Sequence, residues 1–427
     1  MRPVAPRGTD HTAVDWRAAR LLGAPHRLCF FWAGVIWAAA ATWWAGQQFA
    51  VALGLPWQWH VSPAAAHGLL FSLGAMPLFI AGFMFTAGPK WLRRSPVDAR
   101  ELRVSVGLFV VGWAAAVIGF HLGREWAAAG LAVVAVGWGG LSWKLARLVA
   151  GSPHTDRRHP WSVVYACFVI VACLGLAAWL MAVGQADLLR PVICVALWGG
   201  VTTVFLVVSH RLLPFLGAGA WPWLDHRWPD WPLWLVVSVP GVQSASAIAA
   251  PWLGSTATWA TARAFAAMHL AGAAALCLLV VLRWTRMPAL RQPLVAMLYG
   301  AFVWWDVALW LSAAARWPGF DTSASAALEL AAVHALTMGY LGGTLLVMAT
   351  RVSSTHSGRP VAIDRVAWAL YTLLQAALIL RLVAVPTHLT AAPWLMGAAG
   401  AWMGVALVWA VRHGRWMGMP RADGRAD

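Results

Sequence analysis

The sequence predicts an all-α, polytopic integral membrane protein with about twelve transmembrane helices, and three observations carry that expectation. Hydrophobic residues make up 61% of the 427 and charged residues only 11%, where a water-soluble domain carries about a quarter charged. Mean hydropathy is +0.68. Apolar stretches of about 20 residues recur along the whole chain, each long enough for a hydrocarbon core about 30 Å thick. The stretches are continuous and rich in Ala, Leu, Val and Gly. A transmembrane barrel would instead alternate apolar and polar residues in segments of about ten.

The spans are expected at 28–50, 65–88, 102–121, 127–149, 161–184, 188–210, 231–252, 260–283, 293–315, 327–350, 363–385 and 390–411. They divide the chain into a polar N-terminal segment (1–27), a twelve-helix membrane domain (28–411) and a C-terminal tail (412–427). No small-residue cleavage site follows the N-terminal segment, so the first span reads as a retained anchor. All but five of the 31 Lys and Arg residues fall on one side of this arrangement. The exceptions are Arg124, Arg190, Arg263, Arg316 and Arg381. Cytoplasmic loops carry the excess of such residues, so both termini are expected in the cytoplasm. The net charge of +16 is scattered over short loops and forms no basic domain, which argues for membrane orientation and against nucleic acid. Many of the 32 tryptophans sit near span ends, as interfacial belts do. The five cysteines lie within apolar spans without a CxxC pair and read as small buried hydrophobes. The Pro- and Trp-rich loop at 211–231 is expected along the interface between two six-helix halves.

Three histidines stand inside spans at similar depth: His67 in span two, His269 in span eight and His334 in span ten. All enter from the outer side, within roughly 5–14 Å of the outer edge at 1.5 Å per residue. A neutral imidazole in hydrocarbon must find a partner, and a metal or haem is one that three imidazoles at one depth can share. Helix-to-helix hydrogen bonding is the competing explanation for each alone. His60 and His121 read as interfacial. His154, His159, His226 and His413 read as solvated loop residues, and His210 as meeting headgroups. Asp306 is the only carboxylate well inside a span, and intramembrane acids default to function. Two readings stay open for it: a proton relay, or a salt bridge to Arg263. Met268, Met338 and Met348 are soft enough for copper but stand where packing residues do.

The run from His334 to Pro360, HALTMGYLGGTLLVMATRVSSTHSGRP, strongly resembles the most characteristic stretch of the NnrS family, haem- and copper-containing membrane proteins of the response to nitric oxide. IAGFMFTAGPKW (Ile80 to Trp91), SHRLLPF (Ser209 to Phe215) and GAPHRLCFFW (Gly23 to Trp32) are similar to three further family stretches, in the same order. The family's second span opens with a His-x-His-Glu pattern. Here His67 is kept, while Leu69 and Leu70 stand in place of the second His and the Glu. The later Gly-His-Thr-Gly-Arg-Pro pattern reads Thr355-His356-Ser357-Gly358-Arg359-Pro360.

The resemblance implies a haem-binding protein of the bacterial inner membrane, with a b-type haem, copper as a second metal, and a role in resistance to nitrosative stress. Nitric oxide and membrane lipid are the partners it implies, and the electron-transfer partner is left open. Haem-copper oxidase subunit I offers a looser comparison: twelve spans, inward termini, and a low-spin haem between outer-half histidines of its second and tenth helices. His67 and His334 occupy matching places and are the expected axial ligands. Small residues (Gly68, Gly339, Gly342, Gly343) are expected to make room for the macrocycle, with His269 left for a second metal or a substrate pocket. This chain has no His-His dipeptide, so the oxidases' oxygen-reducing copper centre is not expected. Arg351, His356 and Arg359 complete the polar candidates. The reading from another class is a transporter without redox chemistry that uses Asp306, Arg263 and His269 as a buried polar pathway.

Overall fold

The computed structural model describes residues 15–216, 231–253, 256–360, 363–385 and 391–424. Among them there is no strand, and twelve helices are long and apolar enough to cross a membrane. We number them α1 (Pro25–Ala52), α2 (Pro63–Trp91), α3 (Ala99–Leu122), α4 (Arg124–Ala150), α5 (Arg158–Ala182), α6 (Ala186–Arg211), α7 (Leu233–Leu253), α8 (Ala257–Trp284), α9 (Pro293–Ala314), α10 (Thr322–His356), α11 (Arg365–Val383) and α12 (Ala392–Gly418). Each expected span is present, with its ends moved by a few residues. The expected interfacial loop falls largely on 217–230, outside the described residues.

Caps account for several of the moved ends. The Asp321 side chain accepts a hydrogen bond from the Ala324 amide at 2.7 Å and starts α10 before its apolar stretch begins. Thr256 does the same for α8, and Asp364 for α11. At the start of α2, Ser62 caps the Ala65 amide, and Pro63 takes the first helical position, where an N–H has no helical partner. α2 breaks once, at Gly74. Pro77 has no N–H for the Leu73 carbonyl, and its ring crowds that oxygen.

Two helices contain a π-helical turn, Ala196–Thr202 in α6 and Ala335–Gly342 in α10. The second begins immediately after His334. Such turns are rare and concentrate at functional sites. Both contain two glycines (Gly199 and Gly200; Gly339 and Gly342), which tolerate the altered backbone.

Helix pairing follows small residues, as expected where lipid is as apolar as leucine. α3 lies against α4 through Gly112 and Gly119 on one helix and Gly130 and Gly137 on the other. A Cβ at any of the four would come within 2.6 Å of the facing backbone. α1 packs along α12, so the first and last helices are neighbours. The polar ends meet there too. Arg17 donates its amide to the Gly418 carbonyl, and Arg27 its guanidinium to the carbonyls of Met417 and Met419. The helix of α12 runs on to Gly418, through the first part of the expected tail. All five cysteines are free thiols inside the bundle.

Candidate metal centre

His67 and His334 come together. His334 of α10 stands close enough to His67 of α2, 267 positions away in the chain, to act on it electrostatically, and Arg381 of α11 is a charged neighbour of both. His334 shares its Nδ1 proton with the Leu330 carbonyl one turn back, at 2.8 Å. That bond leaves the lone pair on Nε2, which accepts from Arg381 Nε at 3.2 Å. A metal-ligating histidine is usually anchored through one nitrogen to a backbone carbonyl; His334 has that anchor, while its Nε2 lone pair is taken by Arg381. His67 is held by rings: Trp44 stacks on it at 4.1 Å between centroids, and Phe71 lies at 4.3 Å. Its Nδ1 is sealed from solvent and has no hydrogen-bond partner. A buried nitrogen without a partner costs about 1–3 kcal/mol, which makes it a place where a further ligand is needed.

The donors therefore suit a bis-imidazole iron. Space is the second condition. The neighbouring cavity, lined by Phe71, Met76, Gly342 and Trp402 among others, encloses only about 20 Å³. Admitting a macrocycle requires Trp44 and Phe71 to swing off His67. Of the glycines expected to make room, Gly342 borders that small cavity, and all four meet a neighbouring side chain closely. A Cβ on Gly68 would meet Ile193, one on Gly339 would meet Trp304 at 2.5 Å, one on Gly342 would meet Trp402, and one on Gly343 would meet Ala301. These residues are where helices approach one another, because a helix without Cβ atoms lets a neighbour close in.

His269 does not join the pair. Its Nε2 bonds to Ser238 Oγ of α7 at 3.0 Å, the helix-to-helix alternative. Among the described residues no three His, Cys, Asp or Glu side chains stand together as a metal cluster. Leu69 and Leu70, which replace the family's second His and Glu, are buried in the core.

The polar pathway is not joined either. Arg263 gives its guanidinium to the Ala315 carbonyl at 3.0 Å, not to Asp306. Asp306 is 5% exposed, and its Oδ1 has no partner. The expected salt bridge is therefore absent among the described residues: the Arg263 side chain turns to the end of α9, where a helix-terminal carbonyl is unsatisfied. Arg351 is exposed. Arg359 lies over the Trp416 ring at 4.9 Å. His356 packs against His26, with ring centroids 4.5 Å apart.

His413, read as solvated, and His210, read as meeting headgroups, are both buried. His413 is 1% exposed and stacks on Trp409. His210 is buried and bonds to His159 at 3.0 Å. Each lies at the far end of a helix that packs past its apolar stretch, so neighbouring helices and not headgroups surround it. His226 lies outside the described residues. His121 behaves as an interfacial residue, bonded to Trp43 Nε1 and the Gln58 carbonyl. His26 was the residue sequence reasoning missed. It is 4% exposed with a sealed, unpartnered Nδ1. Its signal was its position in GAPHRLCFFW, in the first turn of α1.

The family model described as NnrS protein matches residues 20–421, nearly the whole chain. No curated protein matches it.

Proposed function

The chain belongs to the NnrS family, and we propose that it is a haem-binding protein of the nitric oxide response in the bacterial inner membrane, with both termini cytoplasmic. One observation carries the haem reading. Two imidazoles from distant parts of the chain share one site, one presenting a lone pair on Nε2 and the other a sealed ring nitrogen with nothing to bind.

His67 and His334 would hold the iron from α2 and α10. A bis-histidine haem supplies one-electron transfer. The protein's own part is positional. Leu330 fixes the tautomer and rotation of His334. Arg381 stands beside His334 as the cation that a haem carboxylate would pair with, and its bond to Nε2 must give way when a metal takes that lone pair. The π-helical turn that begins just after His334 is of a kind that concentrates at functional sites. Trp44 and Phe71 pack on His67 and would have to move off it for its ring to reach iron.

Absorption spectra of the wild type, His67→Ala, His334→Ala and His269→Ala test the reading. The wild type should show a Soret band that shifts on reduction. The first two variants should lose it, and His269→Ala should keep it. A colourless wild type, or a chromophore intact in both His67→Ala and His334→Ala, overturns the assignment.

A further inference from the structure

An aromatic-lined cavity lies away from the histidine pair, at the end of the bundle that carries the Arg-rich loops. It encloses about 140 Å³ between α1, α2, α6, α9, α10 and the turn after α8. A dry apolar cavity of about 150 Å³ accepts a molecule the size of benzene, so this one holds a single six-membered ring. Five phenylalanines and one tryptophan from five helices line it (Phe30, Phe79, Phe83, Phe205, Phe302 and Trp284), together with Tyr299 and Tyr340. Among the described residues no histidine, cysteine, carboxylate or cation does, which separates it from the candidate metal centre and from any site for a charged headgroup.

Its polar groups are the hydroxyls of Ser209, Tyr299, Tyr340 and Thr344 and the indole of Trp284 at the rim. Ser209 and Tyr340 bond to each other across α6 and α10 at 3.1 Å. Two hydroxyls bring two protons, and the bond between them uses one. The pair therefore has one donor left over at the cavity wall. Tyr299 gives its proton to the Val281 carbonyl at 3.2 Å and keeps its lone pairs as acceptors. A neutral ring that carries oxygens as acceptors, or as hydroxyls once reduced, matches this set. Trp284, Met287, Leu290 and Val295 rim the cavity and are all partly exposed. They stand at the helix ends, where hydrocarbon gives way to headgroups, so an apolar tail on the ring would run out into the bilayer.

We propose that this cavity binds the ring of an isoprenoid quinone, with the one remaining proton of the Ser209–Tyr340 hydroxyl pair donated to a ring oxygen and the tail leaving past Trp284. The claim concerns binding alone and does not depend on haem. An azido-substituted short-chain quinone tests it by photolabelling of the purified protein in detergent. The label should map to peptides containing Phe79–Met84 or Tyr340–Met348, and excess decylubiquinone should suppress it at least fivefold, while the same excess of phosphatidylglycerol or diacylglycerol should not. The S209A/Y340F double variant removes the donor and keeps most of the volume. It should lower labelling about fivefold, the worth of one hydrogen bond of about 1 kcal/mol, with an unchanged circular dichroism spectrum and elution volume. Labelling elsewhere in the chain, equal competition by either lipid, or full labelling of a folded double variant overturns the proposal. Since every readout is labelling, failure here leaves the Soret test of His67 and His334 untouched, and the reverse also holds.

Discussion

Replacing Gly119 by alanine tests how closely α3 and α4 approach. The added Cβ would sit 2.2 Å from the Ala127 amide nitrogen and 2.6 Å from the Ala127 Cα and the Trp126 carbonyl carbon. Every obstructing atom is backbone, so no rotamer change relieves the clash. Restoring an ordinary van der Waals contact requires the helices to separate by about 1 Å. A gap of that size forfeits roughly a quarter to a half of each dispersion contact across it, and dispersion is much of what holds helices together in lipid. Overpacking costs about 1–3 kcal/mol, and the upper figure applies because no side chain can yield. Helix propensity returns up to about 1 kcal/mol for Gly→Ala, leaving a net loss of about 2 kcal/mol. Gly107 lies on the same helix, and a methyl added there would meet nothing within 4 Å, so Gly107→Ala keeps only the gain. The two variants should therefore differ by about 3 kcal/mol, or more than a hundredfold in the unfolding equilibrium. Unfolding in mixed micelles of increasing sodium dodecyl sulfate, followed by circular dichroism, measures that difference. Equal midpoints for Gly119→Ala and Gly107→Ala would refute the close approach and, with it, the glycine-driven pairing of α3 and α4.

Two further substitutions separate charge from packing. Arg412 donates to both Asp364 carboxylate oxygens, at 2.6 and 3.0 Å, and holds its pKa below the usual carboxylate value. A depressed folded pKa gives stability that is present above the unfolded value near 4 and is lost as pH falls through the folded one. Asp364→Asn keeps the helix cap and removes the charge. It should cost about 1 kcal/mol at pH 7, since the pair is partly solvated, and the deficit in thermal midpoint should shrink steadily below about pH 4; an equal deficit at pH 7 and pH 3 would contradict the ion pair. Asp306→Asn should change stability by less than about 0.5 kcal/mol or raise it, because no cation faces that carboxylate among the described residues. A loss of about 3–5 kcal/mol, the cost of breaking a buried pair, would show that Asp306 has a charged partner after all.

The twelve spans were legible because hydrophobic length is a local property: each stretch must cover the bilayer core wherever its neighbours lie. The pairing of His67 with His334 was legible only through likeness to other proteins. No periodicity links positions 267 apart. The Asp306–Arg263 reading failed for a related reason. Similar depth in the membrane does not imply facing sides, and Arg263 found a helix-end carbonyl. The glycines of α10 carried a true signal of close approach. What approaches them, though, is Trp304 and Trp402 and not open space.

By itself the sequence determined the membrane class, the number of spans and the asymmetry of charge between alternate loops, since all of these are set by composition along the chain. Tertiary structure alone decided which way each polar side chain turns. Rotation about a helix axis is fixed by the helices that pack on it. That rotation brought His334 to His67, sent His269 to Ser238, left Asp306 without a cation among the described residues, and set the hydroxyls of Ser209 and Tyr340 at the wall of an aromatic cavity.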